Sequence, residues 1–80
     1  MRVEVRLYAS FAEHAPTHRA GDAFYVDLEA TDSLLNLISR LGIAAKDVHL
    51  SMVNGRVVYD RSQILQDKDR IGLFPPVGGG

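Results

Sequence analysis

The sequence predicts an α+β domain in two layers, with one helix lying across one face of a mixed sheet. Three observations carry this reading. Apolar and polar residues alternate in several short stretches, the pattern of half-buried strands. A single stretch carries apolar residues at helical spacing. The resulting order is strand, strand, helix, strand, strand, strand, which is not the regular strand–helix alternation of a doubly wound sheet. Eighty residues are enough for one domain with one core, and too few for a second core or a deep enclosed active site.

Residues 2–8 place Val3, Val5 and Leu7 on one face and Arg2, Glu4, Arg6 and Tyr8 on the other. Residues 23–29 repeat the pattern, with Phe24, Val26 and Leu28 inward. A long connection, residues 9–22, joins them. Phe11, Ala12 and Ala15 suit a single helical turn there, which Pro16 terminates because proline lacks the N–H and clashes with the preceding turn. Residues 32–41 form the helix, with Leu34, Leu37, Ile38 and Leu41 on one stripe. Thr31 or Asp32 caps its start. Gly42 suits the left-handed position past its end, and Arg40 lies in the last turn, where the helix dipole favours a cation. Residues 48–53 read as a strand with Val48, Leu50 and Met52 inward and His49 outward. Asn54-Gly55 is a strong hairpin signal because both residues tolerate positive φ, and residues 56–59 form the return strand. Residues 62–66 make a short turn that tucks Ile64 and Leu65 under the sheet. Asp67, Lys68 and Asp69 form a polar turn, and residues 70–74 a last strand. Tyr8 and Tyr25 are expected as cross-strand neighbours on the exposed sheet face.

Composition narrows the function. A content of 46% hydrophobic and 24% charged residues supplies enough apolar surface to offset chain entropy, so the chain is not disordered. The net charge of −1 lacks the basic excess of a small nucleic-acid binder. No apolar run has the length of a membrane span, and the first residues lack the apolar core of a signal peptide. A cytoplasmic protein with no nucleic-acid or membrane partner is therefore expected. There is no cysteine, which excludes disulfides, thiolate nucleophiles and Cys-ligated metals together. If the protein handles sulfur, the sulfur rides on something other than a side-chain thiol. His14 and His18 have a metal-ligand spacing, but Pro16 lies between them and no glutamate completes a zinc motif. They read as loop residues, and no metal site is expected. The serines lack a nucleophile-elbow context. Asp67 and Asp69 read as the turn that starts the last strand, and Asn54-Gly55-Arg56 offers no phosphate cradle. The isolated chain is expected to have no turnover of its own.

The last residues are Phe74, Pro75, Pro76, Val77, Gly78, Gly79 and Gly80. Two prolines stop further strand pairing, and three glycines bury nothing and have the highest ordering cost of any residue. Composition leaves two readings open: a frayed terminus or linker, or a tail meant to enter a narrow channel. Glycine has no Cβ, so a partner can grip the backbone closely and reach the terminal carboxylate. The residues from Pro75 onward can extend roughly 20 Å from the body. Phe74 is likewise open to two readings, a docking anchor beside the tail or a core residue.

The element order and this tail resemble the ubiquitin-like β-grasp sulfur carriers of the MoaD/ThiS family, most of all the small subunit of molybdopterin synthase. "FPPV" followed by a terminal Gly-Gly is typical of that subunit. "LGI", "VNG" and "ILQDKDRIGLFPPV" follow the family's order of helix end, hairpin and polar turn. Gly78 stands where molybdopterin subunits often carry Ser, Ala or Thr. It and "RSQ" at residues 61–63 are more like the thiamine sulfur carriers, whereas the long 9–22 connection favours the molybdopterin type. The resemblance implies a β-grasp domain over residues 1–74 and a flexible Pro/Gly tail over 75–80. It implies that an adenylyltransferase of the ubiquitin-activating kind adenylates the Gly80 carboxylate with ATP, and that a sulfur donor enzyme converts it to a thiocarboxylate. Gly78 and Gly79 would be gripped as the tail is recognised, and Phe74, Pro75, Pro76 and Val77 would dock the partner. Sulfur would pass to a pterin precursor on the large subunit of molybdopterin synthase, or to thiazole synthase. The chain would bind no cofactor and would be the sulfur-donating subunit of a sulfurtransferase complex. A different outcome of the same tail chemistry is a protein modifier joined through Gly80 to lysines.

Overall fold

The structure, a computed structural model, describes residues 1–76. Five strands form one mixed sheet: β1 (Arg2–Leu7), β2 (Phe24–Asp27), β3 (Leu50–Val53), β4 (Arg56–Val57) and β5 (Arg70–Phe74), in the order β2-β1-β5-β3-β4. Only β1 and β5 run parallel, with Val5 opposite Ile71 and Leu7 opposite Leu73. Among the described residues the one α-helix, α1 (Leu34–Arg40), crosses one face. The two-layer α+β architecture expected from the alternation patterns is present.

The alternation in β1 works as expected: Val3, Val5 and Leu7 are fully buried on the helix side. They meet Ile71 and Leu73 of β5 and Leu34, Leu37 and Ile38 of α1. A short 3₁₀ turn, Ala9–His14, buries Phe11, and Ala15 is buried beside it, so the long connection closes one end of the core. Removing such side chains from water contributes about 1.5–3 kcal/mol each for the larger ones.

Several expectations are corrected. The helix cap is Ser33, not Thr31 or Asp32. The Ser33 hydroxyl accepts from the Asn36 backbone N–H, and the Asn36 side chain accepts from the Ser33 N–H, a reciprocal capping box. Asp32 serves the preceding turn instead, accepting from the Glu29 N–H at 2.8 Å. Leu28, just past β2, is buried, but Phe24 and Val26 within it are only half-buried, because β2 is an edge strand. In β3 the facing is reversed: Ser51 and Val53 point into the core, and Leu50 and Met52 onto the open face. Val48 is buried as expected, but it follows a second 3₁₀ turn, Ala45–Asp47, and the strict alternation starts only at Leu50. Ser51 is accommodated inside because its hydroxyl donates to the Val58 carbonyl at 2.7 Å and accepts from Arg61 Nε at 3.3 Å.

The Asn54-Gly55 turn has positive φ at both residues, 52° and 82°. The return strand is shorter than expected, and Tyr59 is exposed. Ile64 is 51% exposed and only bridges Ser33; Leu65 alone is tucked in. Tyr8 does not neighbour Tyr25. The β1–β2 register sets Tyr25 opposite Glu4, four residues away along the strand.

Candidate docking face

β5 carries the residues that lead into the tail, and it lies in the middle of the sheet between β1 and β3. Its last carbonyls are held from both sides. The Tyr8 N–H donates to the Leu73 carbonyl at 3.2 Å, and the His49 N–H donates to the Phe74 carbonyl at 2.9 Å. The tail therefore departs from a fixed point.

Because side chains alternate along a strand, Arg70, Gly72 and Phe74 project onto the face opposite α1. Phe74 is half-buried there and lies flat on Tyr8, with ring centroids 4.4 Å apart and planes 3° from parallel. It belongs to the open face and not to the core. Leu50 is its cross-strand partner, Met52 lies opposite Gly72, and Val57 lies opposite Met52. The result is an apolar band at the tail end of the open face: Tyr8, Phe74, Leu50, Met52 and Val57. Below it the face is charged, with Arg2 on Asp27 at 3.0 Å and Arg6 near Glu4 at 3.6 Å. The Arg2 guanidinium, by hydrogen bond and then by charge, holds the Asp27 carboxyl below the usual carboxylate range.

Pro75 is buried and Pro76 exposed. Both line a hollow on the other side of the sheet, with Phe11 and Ile43. Pro75 thus roots the tail and presents no free surface, while Phe74 presents one. Val77, Gly78, Gly79 and Gly80 lie outside the described residues. His14 ends the first 3₁₀ turn, 3.7 Å from Glu13, whereas His18 sits in the following loop with φ of 58°. Asp69 is buried and accepts from Asn54 Nδ2 and the Gln66 N–H, each at 2.8 Å, tying the hairpin to the polar turn. Asp67 accepts from the Arg2 N–H at 2.8 Å. Both carboxylates are structural. Sequence reasoning did not place Leu50, Met52 and Val57 on this face, because Ser51 between Leu50 and Met52 reads as polar yet sits inside.

The sequence model of the ThiS family matches residues 5–80, through the whole tail. The chain belongs to the ThiS family. No curated protein matches it, but solved structures do. This ThiS-family chain is 25% identical to a protein described as molybdopterin converting factor subunit 1 from Pyrococcus furiosus, with a TM-score of 0.71 over 96% of this chain and 99% of that one. It is 25% identical to a chain of the complex of subunits 1 and 2 of the molybdopterin-converting factor from Helicobacter pylori, with a TM-score of 0.64 over all of both chains. SAMP1 from Haloferax volcanii is 21% identical, with a TM-score of 0.71 over all of both chains, and shows the fold alone. That fold is the ubiquitin-like β-grasp. Among the described residues, no helix is long and apolar enough to cross a membrane.

Proposed function

We propose that this ThiS-family protein is a sulfur carrier and the small subunit of a molybdopterin synthase. The observation that carries the reading is the family match running through Gly80 in a chain without cysteine. With no thiol available, the terminal carbonyl carbon is the atom to be activated. A carboxylate is a poor electrophile. Adenylation of Gly80 by a ubiquitin-activating-type enzyme using ATP supplies a leaving group, and a sulfur donor enzyme displaces AMP to leave a thiocarboxylate. The open-face band around Phe74 docks the partner, and the Pro75 root sets the direction in which Val77, Gly78, Gly79 and Gly80 enter the partner's channel. The catalytic side chains belong to the large subunit. The 25% likeness to a chain of a two-subunit converting factor supports a large-subunit partner. A second reading, delivery of sulfur to thiazole synthase, is favoured by Gly78 and by the ThiS family match.

The test is reconstitution with purified activating enzyme, ATP, sulfur donor and large subunit. Intact mass is expected to rise by the difference between sulfur and oxygen, and product to form. Deleting Gly79 and Gly80 is expected to abolish transfer with an almost unchanged melting temperature, because Pro75 and Pro76 lack the N–H that would continue a strand ladder. Product formation at the wild-type rate by the deleted chain would end the carrier reading. Product from thiazole synthase alone would move it to the second reading.

A further inference from the structure

Between the Tyr8–Phe74 stack and Met52 the open face has a hollow of about 280 Å³. It exists because residue 72 is glycine. A Cβ built there would meet Phe74 at 3.5 Å, Tyr8 at 3.6 Å and Met52 at 4.0 Å, so the three side chains form its walls and the Gly72 backbone its floor. Arg6 lies beside Gly72 in the β1–β5 register, and Arg70 lies two residues before Gly72 on the same face. Both line the hollow together with Glu4. The charges do not balance. Glu4 is engaged by Arg6 at 3.6 Å. Among the described residues, no carboxylate lies within 4.0 Å of the Arg70 guanidinium. The Arg70 main chain is held in place, its N–H donating to Asn54 Oδ1 at 2.9 Å. The site therefore offers an apolar wall, a side-chain-free floor and one uncompensated guanidinium at the rim. Its volume is below the roughly 300–1,000 Å³ of metabolite pockets and suits a single inserted side chain.

We propose that this hollow receives an acidic side chain of the partner protein, its stem on Phe74 and Met52 and its carboxylate on Arg70. Arginine matches a carboxylate bidentately, which adds orientation to attraction. Such a contact would set the register of the docked face and so the line along which the tail enters. The proposal rests on the docking reading above and names the chemistry of its anchor.

The test is titration calorimetry of the full chain against a purified large subunit (subunit 2) of a molybdopterin-converting factor, at low and high salt. Arg70→Glu is expected to weaken binding about tenfold or more and to remove most of the salt dependence, with Arg70→Lys retaining part of the affinity. Gly72→Val is expected to weaken binding similarly by filling the hollow. For Gly72→Ala, whose added Cβ lies at ordinary van der Waals distances, the melting temperature is expected to stay close to wild type. Gly72→Ala serves if valine perturbs the strand. Replacing the partner's interface Glu and Asp residues by Arg one at a time is expected to identify one that rescues Arg70→Glu. Unchanged affinity in both Arg70→Glu and Gly72→Val, with loss in Phe74→Ala, would overturn the hollow and leave the docking face standing. Loss in Gly72→Val alone would mean an uncharged occupant and would also overturn it. A wild-type chain that does not bind subunit 2 would overturn the docking reading and this proposal together.

Discussion

Phe74 has one role that the structure shows, its stack on Tyr8, and one that is proposed, docking of the partner, and measurement separates them. Its ring stacks on Tyr8, and an aromatic pair of this kind is worth about 0.5–1.5 kcal/mol beyond its buried area. The outer half of the ring is free for a partner. Phe74→Ala is therefore expected to lower stability by about 1–2 kcal/mol and to weaken partner binding by tenfold or more. Urea unfolding and calorimetry on the same variant check both. Lost stability with intact affinity would remove Phe74 from the docking set. Asp60 makes a smaller, pH-dependent contribution. The Ser62 hydroxyl and then its backbone N–H hold its carboxyl below the usual carboxylate range. A lowered folded-state value means stability that is present above the unfolded range near pH 4 and is lost as pH falls through it. Asp60→Asn is expected to flatten the acid limb of stability below the unfolded carboxylate range near pH 4, read as urea midpoints. An unchanged slope would assign the acid sensitivity elsewhere.

At the scale of the element, α1 has only seven residues, too short to be stable by itself. It depends on its cap and its buried stripe. Ser33→Ala is expected to cost about 1 kcal/mol because it orphans the Asn36 N–H, whereas Thr31→Ala is expected to cost little; chemical denaturation of the two variants distinguishes them. Leu37 is fully buried, and Leu37→Asp is expected to leave the chain unfolded, since a buried unpaired carboxylate is costly. A cooperative melt at the wild-type temperature would contradict that placement. The stripe of α1 was legible because it repeats over two turns. The cap was not, since Thr31, Asp32 and Ser33 are all good cap residues and only the backbone bend selects among them. In β3, apolarity favoured Leu50 and Met52 as inward residues, but the hydroxyl partners of Ser51 come from residues 58 and 61. No local pattern reveals them.

For the whole molecule, the consequence of the topology is that β5, last in the chain, is inserted at the centre of the sheet beside β1. The segment that leaves β5 starts from the most constrained part of the fold, so on the proposed carrier reading the length of the tail sets the reach of its end. On that reading, adding one Ala after Gly80 is expected to displace the terminal carbon by about 3.5 Å. A displacement of even 1 Å can cost on the order of a hundredfold in rate. Sulfur transfer is expected to fall accordingly while the melting temperature stays unchanged. Full transfer by the lengthened chain would show that the partner does not measure the tail from the Pro75 root.

The sequence by itself determined the two-layer class, the helix stripe and the Asn54-Gly55 hairpin, and it singled out the Gly-rich end as the segment to test. Each is a local signal: a period, a turn chemistry, or residues that packing cannot explain. The tertiary structure alone decided which face of β3 is open, that Phe74 meets Tyr8, that Pro75 faces the opposite side of the sheet, and that Gly72 leaves a hollow between side chains from three strands. These depend on register and strand order, which bring residues from distant parts of the chain within a few ångströms. A one-residue change of phase exchanges the two faces of a strand, so alternation shows that a strand has two faces and only the pairing shows which one packs on the helix.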